Sequence, residues 1–265
     1  SRTVGWYTSM YPVKLNLGSD LRSSIQSVKE GLRSIPNKGI GFGAFATLAG
    51  SSYSHKDLSP VSFNYLGQFD STHGDWEILG SEGSGVNLHP SNIDHHVVNI
   101  NGLVSHGRLC FSIITRLGEA VTARLSESFK GHLRDIIIHC EEKLDERGWG
   151  SHSPSDFGTV RISQSLIDEL ESGAAASNNE IEHIYPATSL QQGFIYHALS
   201  QQEDDAYRIQ LLYDYAEVLD VEKYVQAWQY CIARYPILRT GFNWQEEVIQ
   251  VIYRYGKLDY RFHDI

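Results

Sequence analysis

His95 and His96 stand side by side after Asp94 and run into Val97-Val98-Asn99-Ile100-Asn101-Gly102. Imidazole changes charge near neutral pH, so either histidine is a candidate general base for proton abstraction or acyl transfer. If the pair catalyses, the chain is an enzyme; if its occurrence is chance, the pair merely leads into a strand. Other groups support less. Gly39, Gly41 and Gly43 have the composition of a phosphate loop, but no Lys-Ser/Thr follows. A turn with close backbone packing is expected there. Ser9 and Ser112 sit in no Gly-x-Ser-x-Gly context, so a serine hydrolase has no support. Cys110, Cys140 and Cys231 are odd in number and far apart, without a CxxC pair. They fit a reduced, cytoplasmic setting and no zinc site. No His/Asp/Glu spacing suggests another metal. His139 reads as a solvated or capping histidine, and Trp6 and Trp228 as core anchors.

The chain around these residues has 265 positions, 41% hydrophobic and 20% charged. That is room for one large domain or two smaller ones, each with a core. With 22 basic against 32 acidic residues the formal charge is -10, which opposes nonspecific nucleic-acid binding. No apolar run approaches the roughly 20 residues that span a bilayer, and no basic-then-apolar leader opens the sequence. Ser1 in place of Met, and the apolar ends Arg2–Tyr7 and Tyr260–Ile265, give the expectation of a piece cut from something longer.

The elements that would position the chemistry follow from hydrophobic period. Val4 to Val13 reads as a strand. Leu21, Ile25, Val28, Leu32 and Ile35 recur at helical spacing until Pro36 and the glycine run. Phe42 to Leu48 and Val61 to Phe69 read as strands, followed by a Gly/Ser-rich loop from Gly80 to Gly85. Val97 to Leu103 and Arg108 to Thr115 read as paired strands turned at Ser105-His106-Gly107. Phe129 to Leu144 has the apolar stripe of a long helix. A short helix, Ser163 to Glu171, precedes the flexible-linker composition of Ser172 to Asn179. Beyond Ile181, Ser189 and Gln192 suit a capping box opening a helix to Ser200. Ile209 to Tyr215 alternates like a strand, Val221 to Ile232 is helical until Pro236, and Ile237 to Asn243 and Val248 to Tyr253 close the series as strands. Helices that follow groups of strands make the class α/β or α+β.

Several segments resemble one family. Arg2-Thr3-Val4-Gly5-Trp6-Tyr7-Thr8-Ser9-Met10-Tyr11-Pro12-Val13 is similar to the RTVGWFTxxYPV segment of epimerization domains in nonribosomal peptide synthetases. Pro36 to Gly43 resembles their PxxGxGYG segment, and Phe63-Asn64-Tyr65-Leu66-Gly67-Gln68 matches their FNYLGQ segment throughout. Further on, Ile184-Tyr185-Pro186-Ala187-Thr188-Ser189-Leu190-Gln191-Gln192-Gly193 is similar to the YPLTxxQxG opening of condensation domains. Arg234-Tyr235-Pro236-Ile237-Leu238-Arg239-Thr240-Gly241-Phe242 is similar to their RHExLRTxF, with Tyr235 and Pro236 where His and Glu are usual. The resemblance implies chloramphenicol-acetyltransferase-like lobes, in two incomplete domains joined by a linker. Residues 1–147 would be the C-terminal lobe of an epimerization-type domain, 148–180 an interdomain linker with a short helix, and 181–265 the N-terminal part of a condensation-type domain.

The resemblance also assigns roles. Epimerization needs a base and an acid on opposite faces of one Cα. The family places them in a His-His-x-x-x-Asp-Gly segment and an EGHGRE-type segment, both ahead of RTVGW, and so ahead of Ser1. His95 and His96 fall after FNYLGQ, with Asn99 offset and Asn101 where the motif has Asp, and are read as a decoy on the surface or at a strand edge. Asn64 and Tyr65 are the substrate-tunnel candidates, an amide and a phenol able to hydrogen-bond a thioester carbonyl or its enolate-like form. Arg239 is a structural candidate for an ion pair within its lobe. The implied parent is a cytoplasmic megaenzyme of antibiotic or other secondary-metabolite synthesis, converting a carrier-bound L-aminoacyl or peptidyl thioester to the D form for peptide-bond formation. It binds no cofactor directly; phosphopantetheine arrives on peptidyl carrier domains upstream and downstream, beside adenylation domains of the same assembly line. The fragment alone is expected to be inactive. Two alternatives stand beside this reading: a non-catalytic carrier-docking module, and a stand-alone acyltransferase using His95 or His96.

Overall fold

The computed structural model describes residues 8–48, 59–69, 89, 91–92, 95–147, 150–158, 160–201, 207 and 209–263. The chain divides into two units, Ser1–His139 and Cys140–Ile265. The expected strand over Val4 to Val13 lies partly outside the described residues, and its remainder from Thr8 has no regular structure. The Gly80–Gly85 loop also lies outside them.

In the first unit, helix α1 (Leu21–Arg33) starts at Leu21, where its apolar period begins. Asp20 Oδ1 accepts the Ser23 backbone N–H at 2.8 Å and Ser23 Oγ accepts the Asp20 N–H at 3.1 Å, a reciprocal cap. Hydrogen bonds donated to the Asp20 carboxyl by the Ser23 backbone N–H and by its hydroxyl, the latter at 3.0 Å, hold that carboxyl below its usual range. Phe42–Thr47 forms a short helix, α2, where a strand was expected. The aromatic residues there, Phe42 and Phe45, lie three apart and so share one side of a helical turn, and Ala44 and Ala46 favour the helix. Thr47 Oγ1 reinforces the turn by donating to the Gly43 carbonyl at 2.9 Å.

Strands β1 (Val61–Gln68), β2 (Val98–Ser105) and β3 (Arg108–Thr115) form one sheet in that order, β1 parallel to β2 and β2 antiparallel to β3. The β2–β3 turn is two residues long, with φ of 52° at His106 and 68° at Gly107. Two positive φ values in sequence match the right-handed twist of the hairpin, and Gly107 adopts its value without strain. Helix α3 (Glu119–Arg147) follows. It lies on one face of the sheet, with Phe129 edge-on to Phe111 at 4.9 Å and Thr122 Oγ1 2.5 Å from Thr115 Oγ1. A side chain at Gly102 would strike the Phe111 ring at 2.4 Å, so the glycine lets that ring lie across β2.

In the second unit, helix α4 (Gln164–Ala176) runs five residues past the expected end at Glu171. The Ser/Gly/Ala/Asn stretch that reads as a flexible linker is therefore largely helical, because three consecutive alanines favour the helix and Ala174 is buried. Strands β4 (Ile181–Pro186), β5 (Thr240–Asn243) and β6 (Ile249–Tyr253) form an antiparallel sheet in the order β4-β6-β5. Helix α5 (Ser189–Ser200) is capped one residue earlier than expected. Thr188 and Gln191 form the box: Gln191 Oε1 accepts the Thr188 N–H at 2.8 Å. The run Thr188-Ser189-Leu190-Gln191-Gln192 offers two equal registers, and Gln192 instead donates to the Ala187 carbonyl at 2.9 Å. Helix α6 (Val221–Arg234) ends before Pro236, which opens a 3-10 turn to Arg239, so only Thr240–Asn243 of the expected 237–243 strand is a strand.

The expected strand at Ile209 to Tyr215 is not formed. Its apolar side chains stand in solvent, Ile209 at 85% and Leu212 at 86% exposure. Strand preference is a preference for a pleated neighbour, and no ladder pairs with this segment among the described residues. Among the described residues no helix is long and apolar enough to cross a membrane.

Candidate functional site

Register determines which side chains of the first sheet share a face. Val61, Phe63 and Tyr65 pair with Val98, Ile100 and Gly102, and β2 pairs onward with Thr115, Ile113 and Phe111. Successive residues point to opposite sides of a pleat, so these form one apolar face, the one that carries α3. The alternate positions form the other face: Ser62 and Asn64 on β1, Asn99 and Asn101 on β2, Ser112 and Ile114 on β3.

Asn64 and Tyr65, the paired tunnel candidates of the sequence, therefore point to opposite sides of β1. Tyr65 lies on the helix-bearing face at 51% exposure, and Asn64 lies exposed on the polar face. Asn64 is the register partner of Asn101. Beside them, Ser62 Oγ donates to Asn99 Oδ1. The result is an uncharged strip of carboxamides and hydroxyls, each able to donate and accept hydrogen bonds. Such a strip can hold an amide or stabilise a carbonyl oxygen that gains charge, without supplying a base. Asn101 enters the sequence reading only as a residue standing where an aspartate was needed. The parallel pairing of β1 with β2 gives it a second meaning that local sequence does not signal.

The histidine pair lies just before β2, with Asp94 outside the described residues. His95 is exposed, and its carbonyl accepts a hydrogen bond from Arg116 Nη2 at 3.3 Å. His96 Nδ1 lies 3.0 Å from the Ser59 carbonyl. A carbonyl can only accept, so this geometry places the proton on Nδ1. The Val97 N–H also donates to the Pro60 carbonyl, at 2.7 Å. These contacts fasten the start of β2 to the start of β1.

In the second unit, Arg239 ends the 3-10 turn with its side chain 7% exposed. Its Nη1 donates to the Glu182 carboxylate on β4 and to the Tyr253 carbonyl on β6. One guanidinium thus ties two strands to the turn after α6. Burial pushes the Tyr253 phenol up. Elsewhere in this unit, Val218, Leu219, Tyr224 and Phe262 line an open depression of about 550 Å³ in which Arg261 and His263 are polar. It holds none of Asn64, Tyr65, His95, His96 and Arg239, and its walls come from segments about 40 positions apart. Among the described residues, no group of three or more His, Cys, Asp or Glu side chains is placed to hold a metal ion.

Residues 1–152 and 181–265 match the Condensation domain family. The chain is 36% identical over 257 residues to one of the linear gramicidin synthase proteins of Brevibacillus parabrevis, covering 92% of this chain and 3% of that protein. It is 34% identical over 279 residues to bacitracin synthase 3 of Bacillus licheniformis, covering 100% of this chain and 4% of that protein. The chain thus spans a small fraction of the length of these relatives. Among solved structures, the epimerization domain from the third module of tyrocidine synthetase B is 35% identical to it, with a TM-score of 0.45, covering 52% of this chain and 33% of that one.

Proposed function

We propose, for a chain that belongs to the condensation-domain family of nonribosomal peptide synthetases, that it spans a junction between an epimerization-type and a condensation-type domain. The observation that supports this most is the order of its motifs. The Phe63-Asn64-Tyr65-Leu66-Gly67-Gln68 strand, similar to a segment late in an epimerization domain, precedes the strand and helix carrying Tyr185-Pro186 and Gln192-Gly193, similar to the opening of a condensation domain. On this reading residues 1–147 and 181–265 belong to different domains.

The parent would convert a carrier-bound L-aminoacyl or peptidyl thioester to its D form and pass it on for peptide-bond formation. Phosphopantetheine would be presented by neighbouring peptidyl carrier domains, with adenylation domains loading them. Asn64 and Asn101, on one face of the first sheet, would hydrogen-bond the amide or thioester oxygen of the tethered substrate. The base and acid are not among these residues: the 265 positions contain no His-His-x-x-x-Asp-Gly and no EGHGRE-type segment. The chain by itself therefore neither epimerizes nor condenses. The test is incubation with a carrier-bound L-aminoacyl thioester in deuterated water. Cα-deuterium uptake at background is expected; uptake above background overturns the reading.

A further inference from the structure

Residues 153–180 fall between the two stretches that match the family, yet they supply much of the second unit's core. Leu166 and Ile167, 2% and 0% exposed, come from α4. They belong to one apolar cluster with Ile181 and Ile184 of β4 and Ile249 and Val251 of β6, none more than 1% exposed. Register puts Ile184 with Val251 and Pro186 with Ile249, so α4 and its approach close one face of that sheet.

The segment is also fastened along its length. At its start, the His152 backbone N–H and ring Nδ1 reach Glu171 Oε1 at 2.8 and 2.9 Å, and Glu171 is 3% exposed. Gln164 Nε2 bridges the His152 carbonyl and Asp168 Oδ1, at 3.0 and 2.9 Å. In the middle, two consecutive glutamates from the β5–β6 turn accept backbone N–H groups: Glu247 that of Arg161 at 2.7 Å and Glu246 that of Ser163 at 2.8 Å. Ser163 Oγ donates to the second carboxylate oxygen of Glu246 at 2.5 Å and accepts the Leu166 N–H at 3.2 Å, so the clasp and the helix cap share one hydroxyl. At its end, Asn179 exchanges two hydrogen bonds with the Tyr255 backbone, at 2.8 and 3.0 Å, and Glu180 pairs with Arg254 at 2.8 Å.

We propose that residues 152–180 are a docked strap, a conformational device that closes the sheet of the second unit and is held down by the Glu246–Glu247 clasp. A tether would need no such arrangement. Core side chains, a helix cap shared with a carboxylate, and fastenings at start, middle and end each require the segment to occupy one position. The strap then determines where the β4–β6 sheet receives the preceding chain, and releasing it would uncover the isoleucines of β4 and β6. Its docking does not depend on whether the unit is condensation-type.

The test is hydrogen exchange on the full chain, resolved by peptide. Amides over residues 161–176 are expected to exchange within about tenfold of those in β4 and β6, as members of one cooperative unit do. In the Glu246→Ala/Glu247→Ala double variant, exchange over 160–166 should rise at least about tenfold while β1–β3 stays unchanged. Exchange over 161–176 at the free-peptide rate in the unaltered chain overturns the strap. An unchanged rate in the double variant overturns the clasp.

Discussion

Ile167→Ala separates a docked strap from a linker by magnitude. The side chain is 0% exposed and removing it deletes three carbons from the cluster with Ile181, Ile184, Ile249 and Val251. At about 0.8 kcal/mol per buried methylene, the transfer loss is about 2.4 kcal/mol. The facing side chains sit on hydrogen-bonded strands and can close only part of the gap, so a cavity contribution brings the expected cost to about 3 kcal/mol, inside the usual range for such truncations. That is more than a hundredfold in the unfolded-to-folded ratio, at about 1.4 kcal/mol per tenfold. The assay is urea titration of the full chain, with hydrogen exchange of peptides covering 181–186 and 249–253 as the local readout. Ile209→Ala is the control: its side chain is 85% exposed and its loss should stay within about 0.5 kcal/mol. If Ile167→Ala shifts those peptides no more than the control does, α4 is not part of that core.

Two further outcomes follow from the geometry. On the proposed epimerization reading, Asn64→Ala in the parent synthetase should lower the rate of D-product formation by about a hundredfold, the scale of losing one oxyanion donor. Tyr65→Phe should leave it within about threefold, because the phenol lies on the helix-bearing face; equal losses, measured by single-turnover product analysis, refute the assignment by faces. Hydrogen bonds from the Ser163 hydroxyl and backbone hold the Glu246 carboxyl below its usual 4.5. A depressed carboxyl contributes stability that is present above the unfolded value and lost as pH falls through the folded one. Urea midpoints compared at pH 6 and pH 3 should therefore fall less in Glu246→Gln than in the parent chain, and an identical fall removes Glu246 from the clasp.

Short-range signals were legible where the chain commits locally. The α1 period, the His106-Gly107 turn and the stop at Pro236 each rest on residues within a few positions of the feature. The misses depend on distant partners or on equal local choices. Ile209 to Tyr215 has strand composition but pairs with nothing among the described residues. Thr188 and Ser189 offer two capping registers, and the Gln192 bond to Ala187 accompanies the first. Residues 172–179 look like a linker by composition, although Leu166, Leu170 and Ala174 already carry a helical stripe, and only the strands near 181 and 249 show what that stripe covers.

The sequence names Asn64 and Tyr65 but not the face of the sheet each one takes. Asn64-Tyr65 is recognisable as a segment, but adjacent strand residues point to opposite faces, so the two do not share one surface. What decides between them is the pairing of Val61 with Val98, which carries Asn64 to Asn101 and puts Tyr65 opposite Gly102. A one-residue slip of β1 in that register would turn Val61, Phe63 and Tyr65 away from the face on which Ile100 and Phe111 meet α3. The contact of the Phe63 ring with Phe111, centroids 6.3 Å apart, opposes such a slip, and Phe129 backs Phe111 from α3. The same contact that buries the apolar face therefore holds Asn64 and Asn101 side by side on the other. His95 and His96 belong to this mechanism as well: by fastening Ser59 and Arg116 around the start of β2, they help set the register on which the polar strip depends.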